Sequence, residues 1–106
     1  MMDGETLTIV RRAGYTINHI RPCTMEKGKK MAKVRLANPP KDIFSRLEKE
    51  GFDELKSFPE LGLAKIKMKG KHIIVFQNGE ITIRAADDRE DILRTAEILA
   101  NILKAK

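Results

Sequence analysis

The chain has one cysteine, Cys23, no tryptophan and a single glutamine, Gln77. One cysteine excludes an internal disulfide and any all-cysteine metal site. The two histidines, His19 and His72, have no companions at metal-ligand spacing. Glycine-rich phosphate loops are missing too: Lys27-Gly28-Lys29-Lys30 holds one glycine and no helical pattern follows it. No apolar run is long enough to cross a bilayer, so no membrane partner is expected. The first residues, Met1-Met2-Asp3-Gly4-Glu5, are acidic and lack an apolar h-region. They do not read as a secretory signal, and a cytoplasmic location is the expectation.

What is present is charge. The 106 residues carry 21 Lys and Arg against 15 Asp and Glu, a net charge of +6. With so little glutamine, this richness in Lys, Glu and Arg leans towards a thermophilic source. The charges are unevenly spread. Arg11, Arg12, Arg21, Lys27, Lys29, Lys30, Lys33 and Arg35 are opposed locally only by Glu26. Lys65, Lys67, Lys69 and Lys71 form a second group without an acid among them. Acids gather in 48–60 and 87–91 instead. Such a split gives a positive region able to attract phosphates or an acidic protein. Charge of this kind also serves simply to keep a small domain in solution.

The apolar pattern predicts a single α+β domain, large enough to bury a core without staples. Residues 5–11 and 15–20 are β-rich and separated by Ala13-Gly14, so they read as an N-terminal hairpin. A polar loop over 22–30 leads to a strand at 32–37, with Ala32, Val34 and Leu36 on one side and Lys33 and Arg35 on the other. Asn38-Pro39-Pro40 then opens a helix with Ile43, Phe44 and Leu47 as its stripe and Gly51 as its left-handed stop. Residues 58–62 read as a connection, followed by strands at 63–69, 72–77 and 80–86. The last helix starts at Asp87 or Asp88, with Glu90 placed to reach back as a capping box. Ile92, Ala96, Leu99 and Leu103 share one face, which Ile98 and Ile102 widen. The architecture expected is an antiparallel sheet with helices on one face.

Two registers of the last three strands are self-consistent. If Asn78-Gly79 is a two-residue turn, Phe76 pairs with Ile81, and His72, Ile74 and Phe76 point into the core. If the loop is Gln77-Asn78-Gly79, closed by a glycine bulge, Phe76 pairs with Glu80 and Ile73 and Val75 go inside. Ile74 and Phe76 then join Lys65, Lys67 and Lys69. The upstream turn is Lys69-Gly70-Lys71 in the first case and Gly70-Lys71, of type II′, in the second. A one-residue slip separates two different surfaces. Turn statistics favour the first; the second avoids burying His72.

Residues 58–98 resemble one repeat of the TATA-box-binding-protein family. The likeness rests on Phe58-Pro59, on Ile66-Lys67, and on Ile74-Val75-Phe76-Gln77-Asn78-Gly79-Glu80-Ile81-Thr82-Ile83. Ala86 and the acidic helix start at Asp87-Asp88 follow in step. It implies that Phe58 and Phe76 lie on a DNA-facing surface, lined also by Ile74, Thr82 and Arg84. It also implies the bulged register, which is the one we expect. The chain departs from the family in having one repeat, an extra residue after Phe58-Pro59, and lysines on the implied surface. Ile20-Arg21-Pro22-Cys23, with the pattern from Ile73 to Asp91, is also similar to a small domain that precedes an iron–sulfur module in some prokaryotic proteins. That likeness implies an accessory, protein-docking role.

Weighed together, these signals predict a non-catalytic binding module that needs no cofactor. Cys23 lies four residues from His19, about 13 Å in extended chain, too far for a catalytic pair. Asp87, Asp88, Glu90 and Asp91 fit a helix start better than a cation loop. The expected nucleic-acid-binding residues are Lys65, Lys67, Lys69, Ile74, Phe76, Thr82 and Arg84, with Lys29, Lys30, Lys33 and Arg35 adding charge. The partner would be DNA or RNA, and a lone repeat would serve an extended ligand best as a homodimer. The alternative partner is an acidic or iron–sulfur protein docking on the same surface.

Overall fold

The computed structural model describes residues 9–23 and 27–103. They build a seven-stranded antiparallel sheet, two α-helices and a short 3-10 turn at Pro59–Leu61. The strands are β1 (Ile9–Arg12), β2 (Tyr15–Pro22), β3 (Lys30–Leu36), β4 (Glu54–Phe58), β5 (Leu63–Met68), β6 (Lys71–Phe76) and β7 (Glu80–Ala86). The helices are α1 (Ile43–Glu48), between β3 and β4, and α2 (Arg89–Leu103), after β7. Across the sheet the order is β1-β2-β3-β7-β6-β5-β4, so β7 returns to the middle and pairs with β3. Residues 5–8 of the expected first strand lie outside the described residues; β1 and β2 pair as expected across Ala13-Gly14.

Alternation decides the two faces. Ile17, Val34, Ile81, Ile83, Ile73, Val75 and Ile66 are buried on one face, beneath Ile43 and Leu47 of α1 and Ile92, Ala96, Leu99 and Leu103 of α2. Both α-helices of the described residues pack on this face, and neither covers the other face.

The structure adopts the bulged register. Val75 pairs with Ile81 and Ile74 with Thr82. The Gly79 N–H donates to the Phe76 carbonyl at 3.0 Å, and Gly79 sits at φ 95°. The turn before β6 is neither of the two expected. Met68 pairs with Lys71, leaving Lys69-Gly70 as a two-residue turn with φ of 49° and 82°. Positive φ at both central residues matches the twist of the flanking strands. This places Lys71 in β6, where alternation turns it inward with Ile73 and Val75.

Other expectations need correction. Residues 54–58, in part read as a connection, form the edge strand β4. Helix α1 begins only at Ile43, and its N-cap residue Asp42 makes no side-chain cap, its carboxylate lying 2.9 Å from Arg46. Gly51 is not left-handed; Lys49 ends the helix in ordinary helical geometry. At α2 the cap is Asp88, whose Oδ1 accepts the Asp91 N–H at 2.8 Å. The residue that reaches back is Asp91 rather than Glu90: its Oδ2 accepts the Asp87 N–H at 2.9 Å. Ile98 does not widen the buried stripe and is 43% exposed; Thr95 and Ala100 fill the stripe instead.

Candidate functional site

Because cross-strand partners share a face, the helix-free surface can be read row by row. One row runs Asn18, Lys33, Thr82, Ile74, Lys65 and Lys56. A second runs Arg84, His72, Lys67 and Glu54. A third joins Phe76, Leu63 and Phe58, with Glu80, Arg35 and Thr16 continuing it across β7, β3 and β2. The surface therefore has an apolar centre of Ile74, Phe76, Leu63 and Phe58, all half-buried. Cations flank it on both sides. Phe58 and Phe76 sit two strands apart, about 10 Å. The Lys65 ammonium lies 6.0 Å from the Phe58 ring centroid, within reach of a cation–π attraction.

Of the expected site residues, Lys33, Arg35, Lys65, Lys67, Ile74, Phe76, Thr82 and Arg84 come together here. Thr82 is less accessible than expected, at 9% exposure, and forms the floor between Lys33 and Ile74. Lys69 is not on the face; it occupies the turn, where its N–H donates to Asp53 at 3.1 Å. Lys29 is not there either, because its ammonium reaches Asp87 at 2.6 Å, at the start of α2. Lys30 pairs with the core residue Ala86 and so belongs to the helix side.

Sequence reasoning left out Asn18, His19, Arg21, Met31 and Lys56. The first four line a groove of about 550 Å³ with Lys33, Arg35, Phe76 and Arg84. They arrive there through two bulges. On β2 the register passes from Asn18↔Lys33 to Arg21↔Met31, three residues against two, with His19 at φ 57°. On β7 it passes from Ile83↔Ala32 to Ala86↔Lys30, with Ala85 at φ 64°. The bulges stand on either side of β3, about Met31. They turn Ile20 and Ala86 into the core and Arg21 onto the open face. Left-handed backbone at non-glycine residues costs about 1–3 kcal/mol each and gathers at functional sites. Neither His nor Ala signals a bulge in sequence, which is why the groove was illegible.

The electrostatics are one-sided. Among the described residues, the open face holds Arg11, Arg21, Lys33, Arg35, Lys56, Lys65, Lys67 and Arg84 against two acids, Glu54 and Glu80. Glu80 is already bound to Arg35 at 2.9 Å. Lys56 and Lys65 stand directly opposite one another, a like-charge pairing that destabilises a sheet. Cys23 is buried while His19 is exposed in the groove. Among the described residues no group of His, Cys, Asp and Glu is placed to hold a metal ion, and no helix is long and apolar enough to cross a membrane. Set against protein-family models, curated proteins and solved structures, the chain matches none of them.

Proposed function

We propose that this protein is a non-catalytic nucleic-acid-binding module and that the helix-free sheet face is its binding surface. The observation that carries the reading is the coincidence of half-buried aromatics with unneutralised lysines on adjacent strands. Phe58, Phe76 and Ile74 offer flat apolar contacts to bases, while Lys33, Lys56, Lys65 and Lys67 stand ready to neutralise phosphates. The Lys56–Lys65 juxtaposition is costly on its own and is relieved when a polyanion lies between the two strands. The resemblance of residues 58–98 to a TATA-box-binding-protein repeat supports the same face, since it assigns Phe58 and Phe76 to the ligand side. A homodimer would extend that face for a long ligand.

The test is a titration of fluorescent DNA and RNA oligonucleotides at two salt concentrations. Affinity should fall steeply with salt, and Lys65→Gln should flatten the log–log slope by about one unit. Phe76→Ala should weaken binding with little loss of stability. Salt-independent binding, or none to either polymer, would contradict the proposal and favour an acidic protein as the partner.

A further inference from the structure

We infer that the bulged end of the groove is an oxyanion site that holds one phosphate group through Arg84, Arg21 and Lys33. On the nucleic-acid reading, on which the natural ligand's identity rests, that group is a backbone phosphodiester. The three cations line the same groove, and none of them is in an ion pair among the described residues. The Arg84 Nε is buried and has no hydrogen-bond partner. A guanidinium N–H withdrawn from water without an acceptor is unfavourable, and an oxyanion that draws the side chain towards the groove would complete the site. No neighbour completes it: Arg84 faces His72 on β6. The carboxylate lining the groove, Glu80, is held by Arg35 and lies four residues, about 13 Å, along β7 from Arg84.

The shape of the missing acceptor follows from the donors. Arginine presents a planar fork that takes two oxygens at once. Each oxygen engaged by that fork keeps a second lone pair for a further donor. The two non-bridging oxygens of a phosphodiester can in this way accept from Arg84 and also from Arg21 and Lys33. The bulge on β2 brings Arg21 to this face, and the bulge on β7 directly follows Arg84. The strained backbone thus surrounds the proposed site on both flanks.

Inorganic phosphate is the first probe, followed through the arginine Nε–H resonances of the full chain. The Arg84 signal should shift saturably. Arg84→Lys, which keeps the charge and loses the fork, should weaken phosphate binding by about tenfold or more, the worth of a charge-assisted hydrogen bond. Lys41→Gln, in the turn before α1, should leave the shift unchanged. An Arg84 resonance unmoved by phosphate, or an Arg84→Lys protein that binds phosphate as well as the parent, would overturn the site. The parent resonance decides the matter even if Arg84→Lys fails to fold. Oligonucleotide binding that needs Phe76 but ignores Arg84 would also overturn the site while sparing the wider proposal. Phosphate bound at Arg84 without any oligonucleotide affinity would uphold the site and remove the wider proposal.

Discussion

Lys71 is 4% exposed, with its Nζ on the helix-covered side of the sheet. Asp91 makes that possible, with its Oδ1 3.1 Å from the Lys71 Nζ and its Oδ2 bound to the Asp87 N–H. Burial pushes the Asp91 carboxyl upward, but the Asp87 N–H and Lys71 together outweigh it and leave the pKa below the ordinary value. A carboxylate with a depressed folded pKa stabilises the protein above its unfolded value, near 3.9, and loses that contribution as pH falls through the folded value. We therefore expect Asp91→Asn to flatten the acid limb of the stability profile. Above pH 5 it should cost about 3–5 kcal/mol in denaturant melts, because it strands a buried ammonium. Lys71→Met should cost less, since Asp91 keeps the Asp87 N–H and a guanidinium of Arg94 at 3.7 Å. Equal costs would show that the pair does not act as described. Cys23 is buried, and its N–H donates to the Lys29 carbonyl. Cys23→Ser should leave oligonucleotide affinity unchanged, and a loss would reopen a role for the thiol.

Among the elements, β6 shows how far the sequence could be read. The competing registers turned on whether His72 or its neighbours went inside. Ile73 and Val75 pack opposite Ile83 and Ile81, and this register buries Lys71 in place of His72. Nothing local reveals that cost, since its compensation lies 20 residues away in α2. The same distance problem hid β4, whose alternation of Leu55 and Ser57 against Lys56 and Phe58 becomes visible only beside β5. By contrast α2 was legible, because Ile92, Ala96, Leu99 and Leu103 repeat at helical spacing and are all fully buried. Leu99→Ala should cost about 2–5 kcal/mol; a loss below about half a kilocalorie would place Leu99 on the surface. At the β6–β7 turn, a Cβ on Gly79 would sit 3.0 Å from Pro39 with φ at 95°. Gly79→Ala should therefore cost about 1 kcal/mol or more in melts, and a neutral result would argue against the bulged turn.

At the scale of the whole molecule, one face of the sheet is closed by helices and the other is left open with an excess of positive charge. The residues that make the open face were named from sequence wherever simple alternation applied, as in Lys65, Lys67, Ile74 and Arg84. They were missed wherever a bulge or a distant strand intervened, as in Arg21, Met31 and Lys56. The account stands on which face meets the ligand. Hydroxyl-radical footprinting with and without a bound oligonucleotide reads this directly, because it reports side chains rather than backbone. Phe58 and Phe76 should be protected, while Ile98 on the outer side of α2 keeps its full reactivity. Protection of Ile98 with Phe58 and Phe76 unchanged would place the ligand on the helices and contradict the account.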